Sequence, residues 1–326
     1  MRVLFFLATA LATFAAEPKP LPVVQNERGL PAVLASAKRI VFLGDSITYG
    51  GTYVDFVETV LRTRVPGWNG EIIALGLSSE TVSGLSEVGH AGGKFPRPDL
   101  HERLARILAQ TQPDVVVACY GMNDGIYFPL AEERFAKFRD GMTRLQAAVV
   151  AARATIIHVT PPIFDPVPIA AKTLPAGLDA YPKPFAGYND VLDHYSAWLV
   201  AQRATGWDVI DAHRLLAITL AHLRRTDPTF TFSKDGVHPD NFGHAVIARA
   251  ILTAWGLRPD DQELLVHLTT NADAPLLKLV RERRKLMMAA WLTATGHQRP
   301  GVPTGLPLAE AQLKGAAIGE KIRELR

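Results

Sequence analysis

Arg39-Ile40-Val41-Phe42-Leu43-Gly44-Asp45-Ser46-Ile47-Thr48-Tyr49-Gly50-Gly51 decides how this chain is read. An apolar run of strand length ends in Gly-Asp-Ser, and two glycines lead into a segment where Tyr53, Phe56, Val57, Val60 and Leu61 recur at helical spacing. The pattern predicts a strand, a tight turn and a helix ended by Pro66-Gly67. In an open α/β sheet such a turn lies at the carboxyl edge of the strands, where ligands bind. A serine placed there is either a nucleophile or a hydroxyl that contacts phosphate.

Outward from this stretch the same grammar repeats. Glu71 to Leu75 closed by Gly76, Asp114 to Tyr120 running into Gly121-Met122-Asn123-Asp124, Thr155 to Thr160 stopped by Pro161-Pro162, and Trp207 to Asp211 predict four more strands. Helical patterns separate them: one opened by Asp99 with Glu102 three residues on, one from Ala131 to Arg153, one from Tyr188 to Ala204. Strands alternating with helices predict a parallel doubly wound sheet. Ser78 to Pro98 is irregular and rich in Gly and Pro, so it is expected to fold over the same sheet edge. A second long loop carries Pro166, Pro168, Pro175, Pro182 and Pro184 with Tyr181 and Phe185, and loops of that length are more often functional than not.

The 326 residues, 48% hydrophobic and 21% charged, suffice for a large buried core, and a net charge of +3 spread over them argues against a nucleic-acid partner. Met1-Arg2, the apolar Val3 to Phe14 and Ala15-Ala16 match a secretory signal at 1–16. The expectation is a periplasmic or extracellular protein with no stable membrane insertion after cleavage, since no later apolar run approaches a span. Residues 17–38 read as an N-terminal strap. The single cysteine, Cys119, sits in an apolar run and is expected to be an inert buried thiol.

A second segment, Ser233-Lys234-Asp235-Gly236-Val237-His238-Pro239-Asp240, gives Ser46 its partners. Asp235 and His238, three apart in a turn before a helix, can point the same way. Serine becomes a nucleophile when a base takes its proton, and the base works best when a carboxylate fixes its tautomer. Acyl transfer also needs donors for the developing oxyanion. The candidates are the backbone N–H groups of Ser46 and Gly76 and the side-chain amide of Asn123, all at predicted strand ends.

With Gly44-Asp45-Ser46, Gly76, Gly121-Met122-Asn123-Asp124 and Asp235-Gly236-Val237-His238 in this order, the sequence resembles the SGNH hydrolases of the GDSL esterase/lipase superfamily, over roughly Arg39 to Leu257. The resemblance implies a flavodoxin-like three-layer α/β/α sandwich with the hydrolase domain at 39–257. It implies Ser46 as nucleophile, His238 as base, Asp235 as its orienter, and Ser46, Gly76 and Asn123 as the oxyanion hole. It calls for no metal or organic cofactor. An O-acyl or O-acetyl ester of carbohydrate is the favoured substrate, with Tyr127, Phe128, Tyr181 and Phe185 as candidate substrate-binding residues. Lipase, lysophospholipase and thioesterase activities are the alternatives within the superfamily.

Competing readings exist for several residues. Ser46-Ile47-Thr48-Tyr49-Gly50-Gly51-Thr52 also resembles a phosphate loop of a flavin-binding, flavodoxin-like module, although such a loop has no use for Asp235 and His238. Asp235, His238, Asp240 and His244 could be read as a metal cluster, which would leave Ser46 and Asn123 without a role. Asp45 and Asp124 are expected to bond their own turns. His158 is expected in the core, whereas His213, His222 and His267 are expected at the surface or an interface, and Arg281-Glu282-Arg283-Arg284-Lys285 as a solvated helix face. Residues 258–326 form a helical C-terminal extension in which Leu264, Leu265, Leu268, Leu276, Leu277 and Leu279 should pack on the main domain. Leu308, Ala311, Gly315, Ile318, Ile322 and Leu325 make one stripe on a final helix, which either docks on the body or mediates self-association.

Overall fold

The computed structural model describes residues 32–257, 269 and 274–325. The expected signal at 1–16, most of the strap, His267 and the leucines 264, 265 and 268 lie outside them. After a short helix α1 (Ala32–Ser36), the chain runs β1 (Arg39–Gly44), α2 (Ser46–Gly50), α3 (Thr52–Arg64), β2 (Glu71–Ala74), α4 (Leu100–Thr111), β3 (Val115–Cys119) and α5 (Glu132–Ala151). It continues with β4 (Thr155–Val159), α6 (Tyr188–Ala201), β5 (Asp208–Ile210), α7 (Ala212–Leu223), α8 (Asn241–Ala254), α9 (Pro275–Thr295) and α10 (Leu308–Glu324).

All five strands are parallel in the order β2-β1-β3-β4-β5. β1 is flanked by β2, with Arg39 opposite Glu71, and by β3, with Gly44 opposite Cys119. The chain therefore reverses its direction of travel between β1 and β3. With right-handed crossovers this reversal puts α3 and α8 together on one face and α4 and α5 together on the other. Both faces are covered, so β1 and β3 are apolar along their length: Val41, Phe42, Leu43, Val115, Val116, Val117 and Ala118 are buried. The reversal also opens a crevice between the carboxyl ends of β1 and β3, and Ser46 and Asn123 follow those two ends.

The C-terminal helices corrected one expectation and resolved another. α9 packs on α3, β2 and α4, so it covers the β2 edge of the sheet. Its charged run is not a solvated face. Arg284 is buried, its guanidinium bonded to the buried Asp55 with Nε on Oδ1 at 2.5 Å. Arg281 Nε lies 3.4 Å from the same carboxylate, and Arg283 lies between Glu58 and Glu71. Only Glu282 and Lys285 of the five are exposed. α10 packs along α9, burying Ala311, Gly315 and Ile322, with Gly315 against the thioether of Met287. The final stripe thus docks on the body of the molecule.

Candidate active site

Ser46 opens α2. The carboxylate of Asp45 caps this helix by accepting the Ile47 N–H at 2.9 Å, as expected for a turn-bonding role. Gly51 ends α2 in the left-handed region at φ 72°, and a β-carbon there would strike the Arg284 guanidinium at 2.4 Å. Arg284 in turn donates to Gly50 O at 2.9 Å. The short helix that carries Ser46 is therefore closed at its C-terminal end by a cation from the C-terminal extension.

The turn before α8 brings the other two side chains. Asp235 Oδ1 accepts the N–H groups of Val237 and His238 at 3.0 and 2.8 Å, and its Oδ2 stands 2.7 Å from His238 Nδ1. Facing a carboxylate, Nδ1 is the donor, which leaves Nε2 as an acceptor. Nε2 meets Ser46 Oγ at 2.8 Å, across 192 positions of sequence. Partial burial works to raise the Asp235 carboxyl, but the hydrogen bonds from His238 and Val237 outweigh it and hold the group below its ordinary range. The His238 and Asp235 side chains remain 51% and 57% exposed, so the site opens directly to solvent.

The two buried carboxylates nearby behave in the opposite way. Burial pushes Asp45 up to about 7, against the pull of the Ile47 N–H and with the help of Asp124. Burial pushes Asp124 up to about 6, opposed by bonds from Ser83, Val82 and Gly121. Asp124 Oδ1 accepts the N–H groups of Val82 and Ser83 at 2.8 Å each, which ties the 78–98 loop to the turn after β3. That loop does fold over the sheet edge.

Gly76 lies against the first turn of α2: a β-carbon would come within 2.3 Å of Tyr49 N and 2.5 Å of Thr48 C. Glycine is required by that approach of backbone to backbone. Asn123 is buried, and its amide is held on both sides. Nδ2 donates to Glu80 O at 3.2 Å, while Oδ1 accepts from Arg97 Nη1 at 3.0 Å and from the Tyr127 hydroxyl at 3.2 Å.

Of the four aromatic candidates, Phe128, Tyr181 and Phe185 form one cluster of rings, whereas Tyr127, whose hydroxyl reaches Asn123, stacks its ring on Tyr188 at 4.8 Å beneath Arg97. The Phe185 N–H donates to Tyr127 O at 2.8 Å, and the rings of Phe128 and Tyr181 and of Tyr181 and Phe185 lie 5.5 and 6.0 Å apart. The competing assignments fare differently. Thr48 is buried with its hydroxyl on Tyr53, so it faces the core and not an anion. Asp240 caps α8 through the Gly243 N–H, and His244 is buried against the Tyr53 ring. Among the described residues no group of three or more His, Cys, Asp or Glu could hold a metal ion. Cys119 is buried, as expected, and burial raises its thiol.

His213 departs from expectation. It is buried at the start of α7, with Nδ1 2.9 Å from Pro161 O and Nε2 2.7 Å from Asp193 Oδ1. The helical pattern alone could not reveal that the β4 loop closes over it. Sequence reading also missed Glu87 and Arg97. Nothing in an irregular loop signals that two charges ten positions apart form a pair beside Asn123.

A model of the GDSL-like lipase/acylhydrolase family matches residues 42–246. Among solved structures, the chain is 23% identical to BT4096, a gut microbial diltiazem-metabolizing enzyme, with a TM-score of 0.51 over 72% of this chain and 48% of that one. It thus spans about half of that enzyme's length. A catalytic mutant of Axe2, an acetylxylan esterase from Geobacillus stearothermophilus, is 19% identical with a TM-score of 0.51, covering 72% of this chain and 98% of the other. A second Axe2 mutant, described as an acetyl-xylooligosaccharide esterase from the same source, is 21% identical at a TM-score of 0.52, covering 69% and 97%. Identities this low speak for a shared fold. No curated protein matches the chain.

Proposed function

The chain belongs to the GDSL-like lipase/acylhydrolase family, and from that premise we propose that it is an exported serine esterase that removes acetyl or other short acyl groups from carbohydrate. The reading is carried by one continuous hydrogen-bonded line, Asp235 to His238 at 2.7 Å and His238 to Ser46 at 2.8 Å. His238 Nε2 takes the Ser46 proton as Oγ attacks the ester carbonyl. The carbonyl oxygen becomes negative and receives the N–H groups of Ser46 and Gly76 and the free N–H of the Asn123 amide. His238 then passes its proton to the departing alcohol, leaving an acyl group on Ser46. Water activated by the same imidazole releases the acid. Asp235 keeps Nδ1 protonated and stabilises the imidazolium in both halves.

For the alcohol, the half-exposed His238 and Asp235 favour a bulky polar partner that does not need to enter a closed tunnel. The half-buried rings of Phe128, Tyr181 and Phe185 offer surface against which sugar rings can pack, whereas the Tyr127 ring is covered by Tyr188 and Arg97. The acetylxylan activity in the Axe2 description points the same way. Export rests on the signal pattern at 1–16. No described helix is long and apolar enough to cross a membrane.

The test joins chemistry to substrate. A fluorophosphonate probe is expected to label Ser46, and Ser46→Ala is expected to lower ester hydrolysis by about 1000-fold or more with the fold retained. Unlabelled Ser46 or a fully active Ala variant would refute the serine mechanism. Acetate release from acetylated xylo-oligosaccharides, falling activity on aryl esters as the acyl chain lengthens, and labelling of an exported form complete the reading. Activity that instead grows with chain length would replace carbohydrate by a lipid.

A further inference from the structure

We propose that Arg97, held by Glu87, is a positioning residue that fixes the orientation of the Asn123 amide so that one Nδ2–H always faces the oxyanion site. The inference rests on the oxyanion role given to Asn123 above and adds what enforces it.

A primary amide has two donors on nitrogen and two acceptor positions on oxygen, and a turn of about 180° exchanges them. Asn123 uses both acceptor positions, one for Arg97 Nη1 at 3.0 Å and one for the Tyr127 hydroxyl at 3.2 Å. One donor goes to Glu80 O at 3.2 Å. That leaves one N–H for the reaction. If the amide turned over, Nδ2 would face a guanidinium, which has no acceptor to offer, and Oδ1 would face the Glu80 carbonyl. The flipped state would present an oxygen lone pair to the developing oxyanion. Arg97 excludes that state by charge as well as by hydrogen bonding, because a donor that carries charge bonds about twice as strongly as a neutral one.

Arg97 itself is fixed. It is buried, its Nε and Nη2 make a two-point bridge to Glu87 Oε2 and Oε1 at 2.7 Å each, and its N–H donates to Ser86 Oγ at 2.9 Å. Its guanidinium carbon lies 5.4 Å from the centre of the Tyr127 ring. Glu87 is held below its ordinary range: burial opposes this, but the bonds and charge of Arg97 prevail. The pair thus delivers a rigid fork whose third nitrogen is spent on Asn123.

The test is a double-mutant cycle on short aryl esters with Arg97→Ala, Asn123→Ala and the pair, each checked for folding by circular dichroism. Arg97→Ala is expected to lower kcat about 10 to 100-fold with KM within about 3-fold, since the amide acts mainly in the transition state. Added guanidinium ion should restore part of the Arg97→Ala loss and leave wild type unchanged, and Arg97→Lys should lie between. In the Asn123→Ala background the Arg97 substitution should cost little more, because the two act as one unit. Wild-type kcat in Arg97→Ala, or a full additional loss in the double variant, overturns the proposal while leaving the oxyanion hole intact. Wild-type turnover in Asn123→Ala overturns the oxyanion role and this proposal with it. If Arg97→Ala does not fold, Glu87→Gln carries the same test: it keeps the shape of the bridge partner but loosens the fork, and unchanged kcat there overturns the proposal.

Discussion

The turn that carries Ser46 and the turn that carries His238 hold carboxylates under opposite conditions. Asp235 is half exposed and bonded to an imidazole and two backbone N–H groups, which keep it ionised. Asp45 is buried next to Ser46 with a single N–H on its Oδ1, and burial pushes it up to about 7. One aspartate holds an imidazole and stays charged. The other shapes a helix start and is favoured without its charge. Residue type therefore did not decide which acid stays ionised; solvent access and partners did.

The same substitution applied to both sides should break the comparison if it is wrong. Asp235→Asn leaves an acceptor for the Val237 and His238 N–H groups but presents an N–H to His238 Nδ1, favouring the unproductive tautomer. A fall in kcat of about 1000 to 10,000-fold is expected, read by steady-state kinetics; near-normal turnover would mean that something else orients the imidazole.

Next in size is the support behind Ser46. Arg284→Met removes the partner of buried Asp55 and the bond to Gly50 O. Leaving one buried charge without its partner is expected to cost about 3–5 kcal/mol, measured by urea unfolding. Loss below about 1 kcal/mol would show that Arg281 takes over the pairing.

Smallest in its effect on activity is Asp45→Asn, which keeps the cap on the Ile47 N–H and removes the titration. In the folded protein the Asp45 proton is held up to about pH 7, whereas its ordinary value is 3.8. The native state therefore binds the extra proton between those values, and stability present below about pH 4 is lost as pH rises through about 7. The contribution of this group is a slope of about 1.4 kcal/mol per pH unit in that window. Asp45→Asn should flatten it in thermal unfolding from pH 4 to 8 and retain most of the activity. An unchanged slope would mean that Asp45 is ionised in the folded protein.

Much of this was legible from the residues. The five strands begin within a residue of the positions where the apolar runs begin, because β-branched runs covered on both faces leave few alternatives. The alignment of Asp235 with His238 was readable too, since three residues in a Gly-containing turn leave few directions for the side chains. The charge run of α9 was misread for a physical reason. A helix periodicity tells which residues share a face, and the face of Arg284 was buried by Asp55, 229 positions away. His213 and Arg97 follow the same rule, as each is claimed by partners distant in sequence, Pro161 and Asp193 for the one and Asn123 for the other.

By itself, then, the sequence determined the alternation of elements, the parallel sheet and the short-range chemistry of each turn, because these depend on contacts within a few residues. Tertiary structure alone decided that His238 reaches Ser46 across 192 positions, that the C-terminal extension closes the helix opened by Ser46, and that Arg97 ends on Asn123. Those contacts follow from burial and from the order of strands in space, and neither is a property of any local stretch of chain.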